Sequence, residues 1–141
     1  MTRFTEFVAN HPMLFLGLAA ILGLIVWTEL RRLTRRCKDL SPADAVLLMN
    51  HEDALVVDTR EDAEARQGKI RGAKHLPMSV FKQRVGELDP YRGRPVIVVC
   101  RSGARSVEAC EILYRRGFEK VYNLAGGMLA WENAGLPKSK K

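Results

Sequence analysis

The chain is poor in the groups that many functional classes require. Its 141 residues include three cysteines and three histidines, with no CxxC pair and no Cys/His cluster at metal-ligand spacing. Neither a phosphate-cradling GxxxxGK[ST] loop nor a GxGxxG fingerprint occurs, so no metal and no nucleotide cofactor is expected. Aromatic residues are only 7% of the chain, and the basic residues form no groove-like stripe, which argues against a nucleic-acid partner. There is no internal repeat, and the only biased segment is the short basic tail. Three is an odd number for a disulfide framework, so free thiols in a reducing compartment are expected. What is abundant is apolar side chain, 47%, enough for one ordinary domain plus one very apolar segment.

That segment comes first. Phe7 to Thr28 carries no charge, and Met13 to Trp27 is apolar apart from glycine. As a helix, 22 such residues extend roughly 33 Å, about the thickness of a bilayer's hydrocarbon core. Trp27 stands where an interfacial aromatic belongs. A cleaved signal peptide is the competing reading, but no small-x-small site follows, since Val26-Trp27-Thr28-Glu29 is bulky or charged. An uncleaved anchor is therefore expected. The net charge of +7 is unevenly spread: residues up to Lys38 carry six basic and two acidic groups, the remaining 103 carry 17 and 14. Arg31, Arg32, Arg35, Arg36 and Lys38 follow the apolar run, and the positive-inside rule then puts everything after it in the cytoplasm, with a single pass through the membrane. Cys37 lies just beyond. Palmitoylation is conceivable there, but an idle thiol is the simpler expectation. The organisation is a short N-terminal segment (1–11), a transmembrane helix (12–28), a basic juxtamembrane linker (29–40), a folded domain (41–137) and a basic tail (138–141).

Within the domain, Ser41-Pro42-Ala43-Asp44 supplies an N-cap, a first-turn proline and a first-turn acid for a helix to about Asn50. Ala54–Asp58 is a short buried strand ending on an acid. Thr59 to Gln67 is a loop and short helix closed by Gly68. Ser79 is positioned to cap a helix to about Leu88, and Asp89 to Gly93 is a turn. Val96–Val99 is a second strand. A helix ends near Arg116 with Gly117 behind it, Lys120–Leu124 is a third strand, and a short helix covers Met128–Asn133. Strands alternating with helices at this spacing predict an α/β parallel sheet.

The stretch Val96–Ser106, VIVVCRSGARS, carries the chemistry. A β-branched run delivers Cys100 to a strand end, and helix-forming sequence resumes after Ser106. A thiol in that position faces a helix N-terminus, whose unpaired N–H groups and dipole favour the thiolate. Gly103 permits backbone conformations that aim several N–H groups at one point. A buried small hydrophobe is the duller reading of such a cysteine, but polar and flexible residues follow Cys100 at once. Cys110, in mid-helix, is read as structural.

At these residues the sequence resembles single-domain rhodaneses, the sulfurtransferases. The loop Cys100-Arg101-Ser102-Gly103-Ala104-Arg105-Ser106 is similar to their active-site loop. Val57-Asp58-Thr59-Arg60, Gly68 to Pro77, and Leu124 to Trp131 with Gly135-Leu136-Pro137 resemble three further motifs in the family's order, over about 41–137. The anchor in front resembles small bacterial inner-membrane proteins in which one helix precedes one rhodanese domain. The resemblance implies a parallel sheet flanked by helices and a Cys100 persulfide, loaded from a donor such as thiosulfate and unloaded onto a thiol acceptor, the loop's N–H groups holding the sulfur. Arg101 and Arg105 are the candidates for drawing an anionic donor, although Arg101 could also be a solvated surface charge. Ser102 and Ser106 could bond within the loop, and Ser106 could equally cap the next helix. Asp58 and Arg60 are expected to brace the loop. The resemblance gives His75 no catalytic role. Trp131 is expected in the core, and Gly126 and Gly127 in a turn. Cysteine phosphatases of similar fold use Cys-x5-Arg; here Cys100 to Arg105 is Cys-x4-Arg, a cradle one residue shorter that suits a persulfide better than a phosphate. The rival class is a tethered binding module that docks a membrane protein partner, with catalysis incidental.

Overall fold

The structure is a computed structural model, and it describes residues 1–140. Two compact units result, Met1–Arg35 and Arg36–Lys141. The first holds helices α1 (Thr2–Asn10) and α2 (Pro12–Thr34). Pro12 opens α2 at a position where its missing N–H costs nothing. Neither helix buries a residue. At 1.5 Å per residue the 23 residues of α2 extend about 35 Å, so α2 is long and apolar enough to cross a membrane. It continues past Thr28, the end expected from the uncharged run, because Glu29, Leu30, Arg31 and Arg32 are good helix formers. Arg31 stacks its guanidinium 5.6 Å from the Trp27 ring centre.

The second unit is an α/β fold. Strands β1 (Lys38–Leu40), β2 (Leu55–Asp58), β3 (Lys74–His75), β4 (Val96–Val99) and β5 (Val121–Leu124) form one sheet in the order β1-β5-β4-β2-β3, every pair parallel. Helices α3 (Pro42–Glu52), α4 (Asp62–Ala65), α5 (Phe81–Arg84), α6 (Ser106–Arg115) and α7 (Gly127–Asn133) connect and flank them. Both sheet faces are covered, which is why β2 and β4 are apolar without alternation. Val57, Val98 and Val121 face a core that includes Phe81, Leu88, Leu113 and Phe118. Val56, Ile97 and Val99 face another with Ile70, Met128 and Trp131. Trp131 is thus core, and its indole N–H donates to the Pro137 carbonyl at 3.0 Å.

Ser41 accepts the Asp44 N–H, as its position in the sequence suggests. Several expectations need correction. The helix expected from Ser79 to Leu88 is one turn of α-helix between two 3₁₀ segments, Met78–Val80 and Val85–Tyr91; Pro90 cannot donate to an α-helical ladder, and Ser79 binds Glu61 rather than capping anything. The sheet has two strands beyond the three expected. The outer strand β1 lies inside the stretch read as linker, and β3 has only two residues. The tail is tied down at Ser139, which exchanges backbone hydrogen bonds with Lys69; Lys141 lies outside the described residues. The largest correction concerns sulfur. Cys37 is not an idle thiol: with Cys110, read as structural, it forms a disulfide, Cα to Cα 5.9 Å, embedded in the Val57–Phe118 core, against the expectation of free thiols in a reducing compartment. The strand β1 brings Cys37 against α6, a pairing across 73 residues that spacing alone cannot show.

Candidate functional site

The chain reverses its direction of travel across the sheet between β2 and β4. From β2 it moves outward to β3, and from β4 it moves the other way to β5. Beyond the carboxyl ends of such neighbours the connections diverge and leave a crevice, the usual ligand position in an open parallel sheet. Asp58 ends β2 and Cys100 follows β4 there.

Cys100 is 0% exposed. Its Sγ accepts the Gly103 N–H at 2.9 Å and the Ser106 hydroxyl at 3.4 Å. Burial by itself raises a thiol's pKa; the Ser106 hydroxyl and the N–H groups of Ser106, Gly103 and Ser102 outweigh it, so Cys100 lies below the ordinary thiol value. Gly103 reaches this geometry with φ +90, where a side chain would be strained, and a Cβ there would crowd the Gly126 nitrogen at 3.2 Å. The main-chain groups that reach the sulfur are thus those of Ser102, Gly103 and Ser106.

The other side of Cys100 is held by α7. The Met128 N–H donates to the Cys100 carbonyl at 2.8 Å and the Leu129 N–H to the Arg101 carbonyl at 3.1 Å. This close approach depends on Gly127, at φ +57, where a Cβ would overlap both carbonyls. Gly126 and Gly127 therefore do more than turn the chain: they let a helix start lie against the loop.

Asp58 and Arg60 brace the site without entering the cradle. Arg60 Nη2 meets Asp58 Oδ2 at 2.7 Å and the Gly68 carbonyl at 2.8 Å, with both side chains buried. A buried pair satisfied on all sides is a rigid strut. His75 Nε2 lies 2.7 Å from the Arg60 carbonyl oxygen, a supporting position. Thr59 N–H and Oγ1–H both donate to the Val99 carbonyl, fixing the end of β2 to the end of β4.

The two arginines part company. Arg105 turns away from the sulfur and grips the Glu64 carboxylate of α4 through Nη2 at 3.0 and 2.9 Å. That bond holds Glu64 below the usual carboxylate range and Arg105 above its own. Arg101 is exposed, and among the described residues its side chain makes no hydrogen bond or ion pair. It lines a cleft with Glu64, Gln67, Leu129 and Glu132. Arg101 thus faces Glu64 and Glu132 across the cleft, its charge helping to lower both carboxyls, while Arg105 is bound directly to Glu64. Ser106 is the first residue of α6 and does not cap it; Arg105 takes the N-cap position. The Ser106 hydroxyl instead points inward between Cys100 and Asn123.

Asn123, Asp39 and Glu64 were not foreseen. Asn123 had one visible signal, an amide in an otherwise strand-like apolar run, which needs partners if buried. Asp39 and Glu64 had none, since each is brought in from more than 35 residues away. Among the described residues no group of His, Cys, Asp and Glu could hold a metal ion.

Residues 41–134 match the family model described as "Rhodanese-like domain". The chain is 36% identical to the uncharacterized protein YibN of Escherichia coli K12 over 138 residues, covering 97% of this chain and 96% of that one. It is 46% identical to a sulfurtransferase of Allochromatium vinosum over 90 residues, 64% of this chain and 82% of the other. Among solved structures, the thiosulfate sulfurtransferase of Pseudomonas aeruginosa superposes with a TM-score of 0.67 at 27% identity, covering 80% of this chain and 22% of that one.

Proposed function

The chain belongs to the rhodanese-like family, and on that premise we propose that it transfers sulfane sulfur through a persulfide on Cys100. Relatives named as sulfurtransferases support sulfur transfer in general. The observation that carries the specific reading is the donor set on Cys100: main-chain N–H groups and one hydroxyl that favour a sulfur anion despite burial.

In the proposed reaction the Cys100 thiolate attacks the outer sulfur of thiosulfate. The sulfur–sulfur bond of the donor breaks, sulfite leaves with the electron pair, and Cys100 carries S–S⁻. A thiolate acceptor, or cyanide in an assay, then attacks the outer sulfur, and Cys100 departs as thiolate. Total charge is conserved in both steps. The dianionic donor is drawn by Arg101, the guanidinium beside the cleft that makes no direct ion pair. Arg105 serves differently from the first expectation: bound to Glu64, it ties the loop to α4. Because Cys100 is fully covered, loading requires the loop to shift locally and admit the donor.

The same reading tethers the domain to the inner membrane through α2 and keeps it in the cytoplasm. Support comes from the five basic residues beyond the apolar run against Arg3 alone before it. The Cys37–Cys110 bond weighs against that side, since a reducing compartment keeps thiols free; burial of both sulfurs only slows reduction once the bond has formed.

The test is mass spectrometry of the purified chain after thiosulfate treatment. One added sulfur atom, mapped to the Cys100 peptide and removed by cyanide, is expected. A protein that gains none, or gains it elsewhere, overturns the reading.

A further inference from the structure

The Ser106 hydroxyl stands within reach of two acceptors, Cys100 Sγ at 3.4 Å and the Asn123 side-chain oxygen. A hydroxyl has one proton to give, so the two compete. The orientation of the Asn123 amide is settled by its other neighbours. Its Nδ2 lies 2.9 Å from Asp39 Oδ1 and 3.1 Å from the Gly103 carbonyl oxygen. Both neighbours only accept, so the NH₂ must face them and the oxygen must face Ser106. A flipped amide would set its oxygen against two others. Asn123 is buried, as is Ser106, so a hydroxyl proton without a partner would be costly there.

We propose that Asn123, fixed by Asp39 and Gly103, is a positioning residue that accepts the Ser106 proton whenever the Cys100 sulfur is uncharged and yields it when that sulfur is a thiolate. A thiolate is a charged acceptor and outcompetes a neutral amide oxygen. A thiol, or the inner sulfur of a persulfide whose charge sits on the outer atom, is a weak acceptor; the amide then takes the proton. No covalent bond forms or breaks in this exchange. Ser106 is satisfied at every stage, and the inner sulfur is stabilised only when it bears charge. The inference deepens the sulfur-transfer reading and rests on it for its role in turnover. Its chemistry is confined to one thiol, one hydroxyl and one amide. The other charged groups around the loop are Arg101 with Glu132 of α7, Arg105 with Glu64 of α4 and the nearby Glu61, the Asp58–Arg60 pair closing β2, and Asp39 of β1.

The test reads the thiol directly, without any sulfur donor. Cys100 is the one free cysteine among the described residues, so iodoacetamide uptake by the full chain reports it. The readout is the pH midpoint of alkylation. Ser106→Ala is expected to raise the midpoint by about one unit, the value of one charge-assisted hydrogen bond. Asn123→Ala removes the competitor and is expected to lower it by about half a unit. Asn123→Leu, of similar shape with no acceptor, is expected to lower it by about the same amount. In the Ser106→Ala background, Asn123→Ala is expected to do nothing further. Like downward shifts from a small and a near-isosteric replacement, both lost without the Ser106 hydroxyl, are not produced by damage to the fold. A higher midpoint in Asn123→Ala, or a shift that persists without the Ser106 hydroxyl, overturns the proposal. Should Asn123→Ala not fold, the near-isosteric Asn123→Leu decides: an equal shift with and without Ser106 overturns the proposal. Failure of the sulfur-transfer reading is separate, since it is seen in sulfur loading and leaves these midpoints untouched.

Discussion

Cys100 and Cys110 are equally hidden, each 0% exposed, yet they have opposite chemistry. The surroundings of Cys100 are polar main chain: a loop doubling back on the sulfur, a hydroxyl, and a helix start reaching its carbonyl. Cys110 sits on the buried stripe of α6 among Val57, Leu113 and Phe118, with Cys37 as its partner. Burial alone therefore says nothing about a cysteine's role. What decides is whether the buried sulfur is offered hydrogen-bond donors, which favour the anion, or apolar carbon and a second sulfur, which do not.

The sharpest way to break this contrast is to exchange the fates of the two sulfurs. Cys100→Ser is expected to reduce thiosulfate:cyanide transfer to background while circular dichroism stays native. The pair Cys37→Ala with Cys110→Ala is expected to retain transfer in the folded protein. Full turnover by Cys100→Ser would remove the contrast altogether. The second effect is on stability. Losing a cross-link that spans 73 residues is expected to cost about 4 kcal/mol by chain entropy, read as a lower urea midpoint for the double alanine variant and for wild type under reductant. Equal midpoints with and without reductant would mean the bond contributes nothing.

The next test targets the polar side. Gly127→Ala forces a Cβ against the Cys100 and Arg101 carbonyls at a positive φ. A loss of roughly 2–3 kcal/mol is expected from strain and displaced backbone, together with slower alkylation of Cys100. A substitution at exposed Gly93, where a Cβ meets nothing, serves as the neutral control.

A subtler difference lies in pH. The folded Cys100 thiol titrates below its ordinary value, so between that value and the unfolded one, about 8.5, the unfolded chain binds more protons. Stability from this group is then complete above the unfolded value and is lost as pH falls through the folded value. Urea midpoints of wild type minus Cys100→Ala should therefore grow as pH rises and level off above about 8.5; a flat difference contradicts the depressed thiol. The smallest effect is expected at the surface. Glu64→Gln frees Arg105 from an ion pair that is partly exposed, at a stability cost below about 1 kcal/mol, and raises affinity for an anionic donor by exposing a second guanidinium without a direct ion pair. Arg101→Ala should weaken that affinity more than Arg105→Ala does, measured as KM for thiosulfate.

Much of the domain was legible because its signals are local. The continuous apolar runs that became β2 and β4, the Ser41 cap and the glycine behind Cys100 each act within a few residues. The pairing of Asp58 with Arg60 was legible too, the two standing two residues apart with side chains that meet directly. What stayed hidden joins distant segments. The strand β1 has three residues, two of them charged, and is a strand only because β5 pairs with it. The Asp39–Asn123 bond spans 84 residues and the Arg105–Glu64 pair 41. Cys37 carried no mark of its partner on α6.

The sequence by itself determined that this chain has an apolar N-terminal helix, an α/β domain, and one cysteine at the mouth of a strand followed by a flexible, basic loop. These follow from hydrophobic periodicity, caps and turn residues, whose energetics are settled within a helix turn or a strand. Only the tertiary structure decided which sulfurs pair, which arginine is left without a direct ion pair, and which amide attends the Ser106 hydroxyl. Those outcomes depend on the angles and distances at which separate strands dock, and a buried polar group takes whichever partner the packing delivers within hydrogen-bonding range.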